Sequence, residues 1–594
     1  MTTPTYRATK LTQVDSRRLP GRNLFFAAPA VILDLAGPPA QVERVVALWR
    51  QHVERWLAAV GWPEAPIAAR LFGGEGNCGA NVAFAAPLDA LYAATEVNEA
   101  AFASAKAELE GGSAEVVGGT LPERSAALRA QIAAERRPAL LALRDACAAR
   151  AVSFVPDDKE VSIGLGAGSR TFAADELPDP ATLDWSGVRD VPVAMVTGTN
   201  GKSTTIRLLA AMVKAAGKVA GMSTTDWVKV GDELLDSGDY SGPSGARMVL
   251  RDRRVDVALL ETARGGMLRR GLALPRVDAA CITNVTPDHL GEFGVAGMGD
   301  LVDAKFIVRR AVDAKGLLVL NADDPLQVER AARPAEPLTE PLAWFALDPG
   351  NATLRAHLAR GGTGATVEPG PGGPSFVLHR GGARTVIAPV ADAPITLRGA
   401  ARHNVANALA ALLIASRLSL GDAALAAGLR EFKGTPAENP GRLNVVELGG
   451  VTAIVDFAHN PDGMRVVMEM AAALPVRRRL LVIGQAGDRD DDSVRAYAAA
   501  AAPFAPDRVV IKEMEKYLRG RERGVVPALL EAEFVRCGVP RERIDHAPSE
   551  FAAVERALAW ARPGDLLILL SHAERAKVLD HLAQLQRSGW RAGA

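Results

Sequence analysis

Apolar residues recur along this chain in two rhythms. Short, wholly apolar runs at 193–196, 255–260, 279–284 and 316–321 are bounded by turn residues, the pattern of strands buried on both faces. Helical stretches separate them, so the alternation predicts βαβ units around a parallel sheet. The same alternation resumes beyond residue 451, with runs at 452–456, 479–484, 508–512 and 566–570, and predicts a second, separate parallel-sheet domain. Upstream, a strand at 30–35 and Ala/Leu/Glu-rich helical stretches at 42–60 and 124–150 read as a smaller α/β unit. Between the two, short apolar pieces at 152–155 and 161–165 precede an acidic, proline-punctuated run at 175–184 that reads as a linker, which puts a boundary near residue 185. The stretch 340–398 is rich in Gly, Pro, Val and Thr with hairpin-like breaks, and predicts a small β-rich extension before a helix starting near Arg402. The expected organisation is an amino-terminal α/β domain over 1–150, a linker over 151–187, a central domain over 188–399 and a carboxyl-terminal domain over 400–594. No internal repeat is evident.

Length and composition sharpen this. At 594 residues the chain is expected to form roughly three or four domains. Its hydrophobic and charged fractions, 48% and 23%, are those of ordinary globular proteins. Lys plus Arg and Asp plus Glu both number 69, so no global field draws nucleic acid or an anionic membrane. Cys78, Cys147, Cys281 and Cys537 form no C-x-x-C pair, which argues against a disulfide framework or a cysteine zinc site. Charged residues precede any apolar run at the amino terminus, and no run reaches about 18 apolar residues, so a cytoplasmic location is expected.

Residues 191–205 read V-P-V-A-M-V-T-G-T-N-G-K-S-T-T, a buried strand running into a glycine-containing turn and a helix expected from Ser203. Such a turn presents successive backbone N–H groups and a helix start to phosphate oxygens, Lys202 neutralises them, and the Ser203 hydroxyl can ligate Mg²⁺. The strict G-x-x-x-x-G-K-[ST] pattern fails, because Val196 stands where its first glycine belongs.

The variant turn resembles that of the Mur ligase superfamily, whose members make amide bonds through an acyl phosphate. More of that pattern follows in order: Glu261 closing V-A-L-L-E, N-V-T-P-D-H at 284–289, Lys305 in D-A-K-F-I-V, N-A-D-D-P at 321–325, R-H-N-V-A-N-A-L-A-A from Arg402, P-G-R at 440–442 and V-D-F-A-H-N-P at 455–461. Within the superfamily the chain is similar to the Mur-like part of cyanophycin synthetases, through S-T-T-D at 223–226, G-P-S-G-A-R-M-V-L-R-D at 242–252, L-E-T-A-R-G-G-M-L-R at 260–269, I-K-E at 511–513 and L-R-G-R at 518–521. G-R-N-L-F-F at 21–26 resembles their amino-terminal domain more faintly. Those synthetases carry an ATP-grasp domain between the two parts, whereas here 152–170 resembles only its opening strands and the phosphate turn follows soon after. Some also carry a His/Glu metal cluster in the amino-terminal domain; His52 is the only histidine before residue 190, so no metal hydrolase is expected there.

The resemblance implies a site residue by residue. Gly198, Thr199, Asn200, Gly201, Lys202, Ser203 and Thr204 would cradle the phosphates of ATP, with Ser203, Glu261 and His289 around Mg²⁺. Lys305 matches the position of a lysine that is carbamylated and then acts as a carboxylate on a second Mg²⁺. Asn404 and Asn407, one helical turn apart and able to share a face, would lie near the adenine, Arg442 at the transferring phosphate, and Asp456 at the ribose with His459 beside it. Asp456 and His459 follow a strand end, where ligands bind in open α/β sheets, so the carboxyl-terminal domain is expected to close over the nucleotide. Ser223, Thr224, Thr225, Asp226 and Arg264 are candidates for holding an acidic acceptor, and Asp488, Arg489, Asp490 and Lys512 for meeting an incoming amino acid.

Three functions remain open on these residues. The first is an ATP-dependent ligase that activates a carboxylate, such as the β-carboxylate of an aspartyl compound, and couples arginine or a similar amino acid to it, alone or with a separate ATP-grasp protein. The second is a catalytically silent scaffold, and the third a ligase for another acceptor, such as a folate or a peptidoglycan precursor. A homodimer is expected, with residues 1–150 supporting it or binding the acceptor.

Overall fold

The computed structural model describes residues 8–74, 77–112, 119–288 and 290–593. Its centre is an eleven-stranded sheet. Strand Val193–Thr197 lies between Val257–Glu261 and Val277–Ile282, and all three run parallel. Successive residues of the first strand enter opposite cores: Ala194 and Val196 face one layer, Val193 and Met195 the other. Burial on both faces explains why such strands read as unbroken apolar runs. Parallel pairing continues through Val312–Asn321, Leu342–Ala346 and Thr363–Gly370. The expected β-rich extension adds Gly373–Arg380 and Ala383–Pro389 antiparallel at the edge of the same sheet.

Helix Lys202–Ala215 covers one face together with Arg402–Arg417 and Asp422–Glu431, whose Leu409, Leu412, Leu413, Leu425 and Leu429 share its core. A division at residue 400 therefore does not separate the cores: the apolar side chains of 402–432 belong with the central sheet. The carboxyl-terminal sheet has six strands, ordered Asn444–Leu448, Val451–Asp456, Leu566–Leu570, Arg479–Ile483, Arg508–Lys512 and Ile544–Ala547. Its first pair is antiparallel and the others parallel, with helices on both faces.

At the amino-terminal end, strands Thr12–Leu19, Ala30–Ala36, Asn77–Ala85 and Ile67–Gly74 form an antiparallel sheet, with helices Pro39–Val60, Leu91–Leu109 and Leu121–Glu135 packed on it. The helical stretch expected over 124–150 is two helices, Leu121–Glu135 and Pro138–Ala149, because Pro138 lacks the N–H that would continue the first. This unit is joined to the central one by backbone hydrogen bonds, Gly21 N–H to Arg270 O at 3.3 Å and Leu272 N–H to Arg22 O at 2.8 Å. Arg70 adds Nη2 to the carbonyl of Gly294 at 2.8 Å. Within 151–187, strands Phe154–Pro156, Glu160–Ile163 and Arg170–Ala173 pair into a small antiparallel sheet, held by Arg251 through Ser162, Asp157 and Glu160.

Candidate active site

The turn after Val193–Thr197 opens a cleft of about 1550 Å³ that runs from the phosphate turn to the amino-terminal unit on one side and the carboxyl-terminal sheet on the other. Gly198, Thr199, Asn200, Gly201, Lys202, Ser203 and Thr204 all line it. Gly201 is left-handed at φ +87°, and a Cβ there would sit 2.2 Å from Asn407 Oδ1, so both conformation and close approach demand glycine. The turn is braced: Asn284 Oδ1 accepts from the N–H of Asn200 at 2.9 Å, and Thr199 donates its hydroxyl to the carbonyl of Thr286 at 3.0 Å. Lys202 Nζ rests on the carbonyl of Thr199 at 2.9 Å.

Parallel register places Glu261 opposite Val196, one strand over at the mouth of the turn. Its buried carboxylate accepts the hydroxyl of Ser203 at 2.7 Å and that of Thr225 at 2.6 Å. Among the described residues no group of three or more His, Cys, Asp or Glu could hold a metal by itself. The donor set is instead one carboxylate and two hydroxyls, hard oxygen ligands of the kind that suit Mg²⁺ when phosphate and water complete the shell. Lys305 ends helix Met298–Lys305, is buried and lines the same cleft. Burial, with Lys202 and Arg264 adding to it, pushes its ammonium well below the ordinary lysine range. His289 lies outside the described residues.

From the opposite wall, Asn404 donates Nδ2 to the carbonyl of Ile395 at 3.0 Å and accepts from Asn407 Nδ2 at 3.1 Å, so the two asparagines share the face that meets Gly201. Arg442, Asp456 and His459 also line the cleft. Asp456 accepts the N–H of Leu443 and that of Ala458, both at 2.7 Å, and burial raises its carboxyl. Its two oxygens thus hold the turn carrying Arg442 beside the loop carrying His459. Across the cleft, Asp288 pairs with Arg489 at 2.9 Å and stands 3.7 Å from His459 Nε2. Asn200 and Asn460 exchange side-chain hydrogen bonds, Asn460 Nδ2 reaching Asn200 Oδ1 at 3.1 Å.

Several expected substrate contacts lie elsewhere. Of Ser223 to Asp226, only Thr225 lines the cleft; Ser223 and Thr224 are buried, and Asp226 is enclosed by Arg207, Arg442 and Arg575. Those cations hold its carboxyl down at about 2, against the opposing effect of burial. Lys512 does not reach the cleft: its ammonium is buried against Glu550, the carbonyl of Leu570 and His572 Nδ1. Asp490 caps helix Asp491–Ala501 through the N–H of Ser493 at 2.7 Å. Asp488, Arg489 and Arg264 do line the cleft, Arg264 paired with Glu292. Sequence reasoning assigned no part to His403, half-buried in the cleft wall and pushed down to about 4 by loss of solvation there, although it stands beside Asn404 in the motif quoted for the asparagines. Arg207, Arg575 and Phe457 were missed because nothing in linear spacing announces that they converge.

Taken together, the fold and site define an α/β protein whose glycine-turn cleft is shared between a central and a carboxyl-terminal sheet. Comparison with known families narrows that class. The Mur ligase middle domain matches residues 196–415, and the Mur ligase, glutamate ligase domain matches residues 441–572. The chain belongs to the Mur ligase family. Cyanophycin synthetase of Trichormus variabilis is 37% identical over 64% of this chain and 41% of its own length. This chain therefore spans about two fifths of such relatives. UDP-N-acetylmuramoyl-L-alanyl-D-glutamate--2,6-diaminopimelate ligase of Streptomyces coelicolor is 29% identical over 68% of this chain and 78% of its own. Among solved structures, MurF from Acinetobacter baumannii superposes with a TM-score of 0.46 at 18% identity, covering 67% of this chain and 77% of that one.

Proposed function

We propose that the chain is an ATP-dependent, ADP-forming carboxylate–amine ligase. The observation that carries this reading is the convergence of Lys202, the Ser203–Glu261–Thr225 oxygen cluster, Lys305 and Arg442 on one cleft. The backbone N–H groups of the turn and Lys202 bind the nucleotide's phosphates, and Asn404 and Asn407 border the base. Mg²⁺, held by Ser203 and Glu261 and, if Lys305 is carbamylated, at a second position by that group, would neutralise charge on the phosphates. A carboxylate oxygen of the acceptor attacks the γ-phosphorus, the bond to the β-bridging oxygen breaks, and ADP leaves. The donor amine then attacks the acyl carbon, the carbon–oxygen bond to phosphate breaks, and the nitrogen loses its extra proton. Arg442 would stabilise the transferring phosphoryl group, and closure of the carboxyl-terminal sheet would exclude water from the acyl phosphate. The acceptor is an aspartyl β-carboxylate and the donor arginine or a similar amino acid, a choice supported by the likeness to cyanophycin synthetases over 381 residues. A separate ATP-grasp protein would supply or extend the acceptor.

The test is ADP release from the purified chain with Mg²⁺ and ATP across pairs of aspartyl acceptors and amino acid donors, with mass spectrometry of products. A donor-dependent product one water lighter than its two substrates supports the ligase and names both. No product with any pair, nor with an added ATP-grasp protein, would leave a silent scaffold instead. In the same assay Lys202→Ala should lower turnover on the order of 10²-fold or more while its unfolding temperature stays that of the parent. Near-parental turnover would remove the assignment.

A further inference from the structure

The carboxylate of Asp226 lies where the central and carboxyl-terminal parts meet. Arg207, from the helix that follows the phosphate turn, donates Nη2 to its Oδ2 at 2.5 Å. Arg575, the first residue of helix Arg575–Arg587, donates to its Oδ1 at 2.5 Å, and Arg442 stands 3.8 Å away. The first arginine belongs to the same sheet unit as Asp226; the other two come from across the seam. Arg442 and Arg575 each hold a guanidinium 5.5 Å from the centre of the Phe457 ring. Arg575 also lies so close to the turn before Arg442 that a Cβ on Gly441 would stand 2.1 Å from its Cδ.

A second set of bonds runs through the connection between the two sheets. Arg207 donates Nη1 to Asn439 Oδ1 at 2.7 Å, and Asn439 donates Nδ2 to the carbonyl of Arg442 at 3.2 Å. Arg207 therefore touches both the connection and the carboxylate that receives the far arginines. Three guanidinium groups brought this close repel one another, and the carboxylate of Asp226, with only 7% of its side chain exposed, offsets that repulsion. Their charge exceeds that of Asp226, so a surplus remains facing the cleft, where Arg442 lines the wall.

We propose that Asp226 is a positioning residue: it latches the carboxyl-terminal domain onto the phosphate-turn helix and so sets Arg442 at the cleft. The latch follows from the contacts alone; its consequence for phosphate binding rests on the ligase reading. Asp226 and a nucleotide phosphate are both anions, which lets the sign of one measurement separate two roles. If Asp226 acted only through its field, removing its charge would tighten anion binding. The latch predicts the opposite, because Arg442 loses its seat.

The experiment uses the full chain, its D226N, D226E and R575M variants, amide hydrogen exchange without nucleotide, and titration with a non-hydrolysable ATP analogue and Mg²⁺. In D226N and R575M, amides of 433–443 and of the first turn after Arg575 should exchange faster, while strand Val193–Thr197 keeps its protection. Analogue affinity should fall about tenfold in D226N and recover in part in D226E. Unchanged exchange together with equal or tighter affinity overturns the proposal. Should D226N not fold, R575M decides alone, since it leaves the Arg207–Asp226 pair in place. If the parent chain binds no analogue, the ligase reading falls, and the exchange comparison still decides the latch.

Discussion

Buried titratable groups give this protein its sharpest single-residue expectations. His403 and His572 are both half-buried and kept neutral, pushed down to about 4 and about 3 by loss of solvation, with Lys512 adding to the effect on His572. An imidazole in the unfolded chain titrates near about 6.5, so the unfolded state takes up protons that the folded state refuses. The associated stability is complete above that value and is lost as pH falls through it toward the folded values. Urea unfolding should show a stability loss of roughly 1–2 kcal/mol per histidine between about pH 6.5 and pH 5, with a shallower loss in His403→Gln. A variant profile parallel to the parent's would refute this for His403. Lys305 carries the second expectation: burial favours its neutral amine, the form that adds to carbon dioxide with loss of a proton, so Lys305→Ala should turn over poorly and recover in part with added short-chain carboxylate. Neither burial could be seen in the sequence, where Lys305 looks like any lysine on a helix; only the surrounding motif drew attention to it.

Strands and helices divide by how they are buried. Runs apolar on both faces were legible nearly to the residue: the expected 193–196, 452–456 and 566–570 stand against Val193–Thr197, Val451–Asp456 and Leu566–Leu570. The amino-terminal strands Thr12–Leu19, Ile67–Gly74 and Asn77–Ala85 were not read, because they carry polar residues on a face that meets the central unit. Arg17 of the first, for example, pairs in that interface with Asp34 at 2.6 Å. Helix Asp422–Glu431 shows how packing assigns an element to a core: Gly428 presses on helix Lys202–Ala215 so closely that a Cβ would stand 2.6 Å from Met212 Cα. Gly428→Ala should therefore cost about 1–3 kcal/mol in chemical denaturation, despite alanine's better helix propensity, and any gain in stability would contradict this packing.

The carboxyl-terminal unit depends on one deeply buried ion pair. Lys512 and Glu550 meet at 2.5 Å with side chains 0% and 1% exposed, and Glu550 also accepts the N–H groups of His572 and Glu574 at 2.8 Å and 2.9 Å. His572 reaches on to the carbonyl of Ala458 at 3.1 Å, which the hydroxyl of Tyr497 also meets, so the pair supports the loop between Asp456 and His459. Lys512→Met strands a buried carboxylate and should destabilise this unit by about 3–5 kcal/mol, measured as an earlier unfolding transition for it than for the central sheet. Coincident, unshifted transitions would count against that role. The main buried parallel strands, the glycine turn, Glu261 at a strand end and the asparagine helix were readable along the chain, because buried parallel strands and glycine turns impose local chemistry wherever they occur. Which charged groups face the cleft was not. Thr225 and Asp226 are neighbours in sequence, yet one bonds Glu261 and the other clamps arginines from the far sheet. Lys512 looked like a cleft residue and is a buried pillar. Such assignments rest on long-range contacts between separate sheets, and a charge acquires its role only from the partners and the burial that folding brings to it.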